Sequence, residues 1–148
     1  MPLSLRPLIA LTLLLLTVAF GMSGCGDKGP VFVDEGTNYT TSNIERLLDV
    51  ADISQLEKRP TTEAPALRHS ALSGLRRQGK AAADVADLLT STFEPDTRGV
   101  PVYVERASFE GARVVIVIEA TGPRTGTLKL KRLWALGADG SVILTRGR

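Results

Sequence analysis

Val114-Val115-Ile116-Val117-Ile118 is the stretch that decides the fold. Five consecutive β-branched apolar residues favour an extended backbone, and side chains along a strand alternate between the two faces of its sheet. A run with no polar face therefore predicts a central strand covered on both sides. Upstream, Val100, Val102 and Val104 alternate with Pro101, Tyr103 and Glu105, the pattern of a strand with one buried face, and Glu110-Gly111 makes the turn between the two. Downstream, Thr121 to Gly126 reads as a longer turn. Leu128 and Leu130 then alternate with Lys129 and Lys131, and Leu133 to Leu136 follow after a slip in register at Arg132, which suggests a β-bulge. Asp139-Gly140 turns the chain into Ser141-Val142-Ile143-Leu144-Thr145. These four segments predict an antiparallel meander.

Before Val100 the hydrophobic period is helical. Ser42 with Glu45 forms a capping-box pattern, and Ile44, Leu47, Leu48 and Ala51 share one helix face opposite Glu45, Asp49 and Asp52. Ile53 and Leu56 fall out of that register, so this helix ends or restarts near Asp52, and Pro60 closes the segment. Thr62 and Pro65 signal a second helix with Leu67, Ala71, Leu72, Gly74 and Leu75 inward, and Gly79 stops it. A third, about Lys80 to Phe93, buries Ala82, Val85, Leu89 and Phe93 beside Leu88. The expected class is α+β, with about three N-terminal helices packed on the four-stranded antiparallel meander.

The chain has 148 residues, the size of one domain, and begins with an export-type segment. Arg6 precedes the apolar run Leu8 to Phe20. Those 13 residues suit a signal-peptide core rather than a bilayer span, which needs about 20. Met22, Ser23 and Gly24 then lead to Cys25, the only cysteine, which has no partner for an intramolecular disulfide. Met22-Ser23-Gly24-Cys25 resembles the lipobox of bacterial prolipoproteins; the resemblance covers only the leader and the cleavage site. It implies that the Cys25 thiol receives a diacylglyceryl group, that a dedicated peptidase cuts before Cys25, and that the new amine is open to acylation, for example by palmitate. Two or more acyl chains give stable anchoring, since each buried CH₂ contributes about 0.8 kcal/mol. The organisation expected is a signal peptide over 1–24, a lipidated cysteine and flexible tether over 25–42, and a single α+β domain over 43–148.

Charge narrows the partners. Lys and Arg total 18 against 16 Asp and Glu, and removing Arg6 with the leader leaves 17 against 16. Residues 25–97 carry 8 basic and 12 acidic side chains, and residues 98–148 carry 9 and 4. Two faces of one fold account for such asymmetry. Near-neutral charge, export and the lack of a basic motif interleaved with aromatics argue against nucleic acid.

The chemistry-bearing residues are sparse. His69 is the only histidine, and no GxSxG elbow or comparable context accompanies it, so no catalytic residue is assigned. With one histidine and a lipid-capped thiol, no zinc-type metal site and no cofactor are expected. The acidic residues Glu45, Asp49 and Asp52 read as the solvated side of a helix. Lys129, Lys131 and Arg132 read as outward residues keeping an edge strand soluble, with anionic lipid or envelope polymer as the other use. Trp134, Tyr103 and Phe109 are expected to pack against the helices, or to line a ligand pocket on a concave sheet face. Asn38-Tyr39-Thr40 matches a glycosylation sequon by chance. The function expected is a non-enzymatic binding or interaction module, anchored through Cys25 on the extracytoplasmic side of the cell membrane or the outer membrane. Its partner would be an envelope protein. The alternative is a small-ligand carrier with a pocket between sheet and helices; an envelope hydrolase comes last.

Overall fold

A computed structural model describes residues 29–148, so the leader, the lipobox and Cys25 lie outside the described residues. The sheet has six strands: β1 (Val31–Val33), β2 (Asn38–Tyr39), β3 (Val100–Phe109), β4 (Ala112–Thr121), β5 (Leu130–Leu136) and β6 (Val142–Gly147). Their order is β1-β3-β4-β5-β6, with β2 beside β1 on the outer edge of β3. The class is α+β. β3 to β6 form the antiparallel run, but β1 and β2 pair with β3 in parallel, so the sheet is mixed. This changes the expected architecture at its beginning. The fold starts with strands, and residues of the expected 25–42 tether are hydrogen-bonded into the sheet. Val31-Phe32-Val33 is short but β-branched and aromatic, and it covers an edge of β3 that would otherwise present unpaired amides.

β4 is the central strand, and from Val114 onward it is buried on both faces. One face carries two antiparallel helices, α2 (Ala64–Arg76) and α3 (Lys80–Thr92), whose Leu72, Leu75, Val85 and Leu89 pack on Val104, Val117 and Leu136. The other face is covered by a shorter piece. A 3-10 turn, Ile44–Arg46, runs into α1 (Leu47–Val50), and Ile44, Leu47, Leu48 and Ala51 pack on Tyr103, Ile116, Ile118 and Leu133. The capping box does not form; Asn43 Oδ1 instead accepts the Thr40 N–H at 2.8 Å. The helix ends where its apolar register ends, and Asp52 Oδ1 takes the Ser54 N–H at 2.8 Å, a bond that holds the Asp52 carboxyl below the usual carboxylate range.

Two local expectations are corrected. β3 is covered on both faces from Val100 to Glu105, because Ile44, Leu47, Leu48 and Ala51 cover the side that carries Tyr103 and Glu105; from Arg106 onward its helix side is open. The slip expected at Arg132 is absent: β4 and β5 stay in register from Thr121↔Leu130 to Val115↔Leu136, and the irregularity lies at Ala135/Leu136 against β6. Leu128 is fully buried, but outside the strand, in a separate cluster with Ile53, Ala64, Val100 and Ala120. Its pull ends the Leu/Lys alternation and leaves Leu130 exposed. The β3–β4 connection is the two-residue loop Glu110-Gly111 with φ of 49° and 82°. Both residues at positive φ make the turn whose twist matches the flanking strands.

Candidate functional site

α2 and α3 leave part of the helix-side face of the sheet open. α2 and α3 cover Val104 and Val117, but the hairpin end of β3–β4 projects past them. On that projection Arg106, Ser108, Arg113 and Val115 share the helix-side face, as period two and the pairings Arg106↔Val115 and Ser108↔Arg113 require. The β1–β2 loop (Asp34, Gly36) and Ala138 of the β5–β6 turn wall it in, forming an open recess of about 430 Å³. A second recess of about 260 Å³ adjoins it and adds Ala81, Asp84, Val85 and Leu88 of α3. Arg106 Nε lies 3.5 Å from Asp34 Oδ1, with both side chains half exposed. Arg113 has no ion-pair partner among the described residues. This arginine shelf offers two guanidiniums, a hydroxyl and an apolar floor, a surface suited to carboxylate or phosphate groups on a partner.

Two buried polar clusters lie away from the shelf. On the helix side, Glu119 is 1% exposed and accepts from Arg68 Nη1 and from Trp134 Nε1, the latter at 2.9 Å. The same Arg68 Nη1 donates to Gly99 O at 2.8 Å, while Nη2 is buried without a partner among the described residues. A ladder of rings and cations continues outward. Arg68 stands 4.9 Å from the Phe93 ring, Phe93 and Trp134 are 5.4 Å apart, and Arg132 stands 5.6 Å from the Trp134 ring. On the opposite face Glu105, also 1% exposed, accepts from Tyr103 Oη at 2.8 Å and from Tyr39 Oη at 2.9 Å. Burial and the adjacent carboxylate raise both phenols; Tyr39 is pushed up to about 12, and Tyr103 is also raised. The Glu119 cluster ties α2 to the sheet, whereas the Glu105 cluster ties β2 to β3 within it.

The residues singled out from sequence do not converge. Trp134 faces α2 and α3, whereas Tyr103 and Phe109 face α1, so the aromatic trio is split across the sheet and lines no common pocket. His69 is exposed on α2. Glu45 and Asp49 are exposed but not merely solvated: they pair with Arg146 of β6 (2.8 Å) and with Arg148 just after it, and tie the 3-10 turn and α1 to that edge. Lys129, Lys131 and Arg132 do not guard an edge, because β6 covers β5. Lys131 Nζ instead donates to Leu48 O at 2.7 Å, Arg132 stacks on Trp134, and Lys129 is exposed. In the sequon, Asn38 Oδ1 accepts the Gly111 N–H at 3.1 Å. No three His, Cys, Asp or Glu side chains among the described residues are grouped so as to hold a metal ion.

Sequence reading missed Arg68, Glu105, Glu119 and the shelf. A signal for Glu119 was present: it shares parity with Val115 and Val117, so it had to face the helices. Arg68 stands four and seven residues before Leu72 and Leu75, on their helix face. The shelf left no such signal, since it depends on where α3 stops over the sheet. No protein-family model matches this chain, nor does any curated protein or solved structure. No helix among the described residues is long and apolar enough to cross a membrane.

Proposed function

We propose that this chain is an extracytoplasmic lipoprotein, anchored at Cys25, whose folded part is a non-enzymatic binding module using the arginine shelf to hold an acidic segment of an envelope protein. The anchor rests on the placement of the only cysteine directly after an apolar export segment and Met22-Ser23-Gly24. The observation that carries the binding reading is the bare shelf, where Arg113 stands without an ion-pair partner among the described residues beside Arg106 and Ser108.

Each half has its test. Expressed in a bacterial host with radiolabelled palmitate, the chain incorporates label and sediments with membranes, and Cys25→Ala loses both; persistence of label and attachment in the variant overturns the anchor. For the shelf, a short oligoglutamate peptide titrated into the mature chain shifts the amide resonances of Arg106, Ser108, Arg113 and the Asp34–Gly36 loop. Arg113→Glu abolishes those shifts. Shifts spread evenly over all basic residues would mean that the shelf has no specific role.

The alternative reading is a small-ligand carrier. It draws support from the adjoining recess, where Val85 and Leu88 meet Val115. The space between sheet and helices is filled by Leu72, Leu75, Leu89, Val104 and Val117, so a carried ligand would occupy the open recess and not the interior. A small organic acid replacing the peptide in the same titration separates the two.

A further inference from the structure

We infer that the α2–α3 corner, Arg76-Arg77-Gln78-Gly79-Lys80, is the surface apposed to the anionic headgroups of the membrane in which Cys25 is anchored. The inference rests on the lipoprotein reading and adds an orientation to it. Its first premise is reach. Only Gly26, Asp27 and Lys28 separate Cys25 from Gly29. Whatever their conformation, four residue steps span at most roughly 14 Å, because a trans peptide chain advances no more than about 3.6 Å per residue. The headgroup zone of one leaflet occupies about 5–8 Å of that. The chain's entry into the fold is therefore held within about one Debye length of the membrane surface, less than half the length of β3.

The second premise is where that entry lies. Gly29 has φ +68° and backs onto the end of α2 so closely that a Cβ there would come within 2.6 Å of Gly74 C and 2.8 Å of Leu75 N. Gln78 Nε2 donates to Pro30 O at 2.8 Å, and Pro30 is buried. The point of entry is thus fixed to the C-terminal end of α2 and is not free to swing. At the other end of that helix Thr61 Oγ1 donates to Gly126 O, so the 121–128 loop with Arg124 is distal. A 13-residue helix puts roughly 20 Å between these ends.

The third premise is charge. Arg76, Arg77 and Lys80 fall within five residues containing no acid, all three exposed. The nearest acids along α3, Asp84 and Asp87, pair with Lys80 and Arg76 respectively and sit one and two turns further along the helix. With Asp84, Asp87 and the entering Asp27 and Lys28 counted, the corner carries four cations against three acids, a net positive charge that an anionic surface favours.

The experiment uses the mature lipidated chain in vesicles of phosphatidylglycerol mixed with phosphatidylethanolamine and doped with a headgroup nitroxide lipid. Lipidation consumes Cys25, so a fluorophore goes only to an introduced thiol, in Lys80→Cys or Arg124→Cys. The expected result is loss of fluorescence at position 80 and none at 124. Equal loss at both, or greater loss at 124, overturns the orientation. Arg77→Glu combined with Lys80→Glu, labelled at Ala81→Cys, should relieve quenching in phosphatidylglycerol vesicles and not in phosphatidylcholine vesicles; no difference removes the electrostatic part. Failure of the lipoprotein reading looks different: the chain does not float with the vesicles, and Cys25 itself takes the fluorophore.

Discussion

Glu119→Leu, with Arg68 left in place, lowers the unfolding free energy by about 3–5 kcal/mol, the usual cost of stranding one partner of a buried ion pair. The Arg68 and Glu119 side chains are 5% and 2% exposed, so water cannot replace the lost carboxylate. Arg68 would keep the Gly99 carbonyl and the Phe93 ring, neither of which neutralises its charge. Trp134 would lose its acceptor as well. Removing both charges, as Arg68→Met with Glu119→Leu, recovers most of the loss, because the two apolar side chains fill a similar volume in the layer between α2 and β4. Denaturant midpoints followed by circular dichroism and by fluorescence of Trp134, the only tryptophan, measure both effects. A single variant within 1 kcal/mol of the parent, by this same scale, would mean that the pair is solvated in solution.

The second large effect is alkaline. The chain has two tyrosines, and both donate to Glu105. Burial disfavours either phenolate, and ionising in place also removes a hydrogen bond and sets the new charge against the Glu105 carboxylate. Both folded-state values therefore lie above the ordinary 10, with Tyr39 at about 12. The sign follows. A group whose folded value is raised contributes its full stabilisation below pH 10 and loses it as pH climbs from 10 through 12. In ultraviolet titration of the native chain, tyrosinate absorbance should lag that of the urea-unfolded chain and then rise together with loss of the sheet signal. Glu105→Gln removes the charge and moves the native titration back toward the ordinary value. Glu105→Leu also leaves the buried Tyr103 hydroxyl without an acceptor, at a cost of about 1–3 kcal/mol. Native tyrosines titrating at 10 with the sheet intact would show that the cluster opens freely.

The bare shelf and the tightly fixed entry of the chain at Gly29 give the molecule two distinct surfaces. One is suited to an acidic partner, and the other, in the lipoprotein reading, faces the membrane. Lys80 belongs to the membrane-facing corner and Ala81 to the recess, so the two surfaces meet along the first turn of α3. A partner held on the shelf of an anchored chain would thus lie close to the bilayer.

Sequence by itself determined the elements whose periodicity is strong. The unbroken apolar run of β4 required cover on both faces, and the cover is there. The stripes of α2 and α3 placed their inner residues, and Ile44, Leu47, Leu48 and Ala51 were marked as one buried face although their helix is a single turn. Cys25 and its neighbours carried the reading of location, which no tertiary contact among the described residues addresses. Only the tertiary structure decided the rest. Val31–Val33 and Asn38–Tyr39 are too short to specify a pairing partner, and they join the sheet because β3 offers an unpaired edge. Glu105 and Glu119 are polar letters in a pattern, and their burial depends on donors 66 and 51 residues away in sequence. Periodicity records which face a side chain takes; which distant group waits on that face is set by how the layers pack.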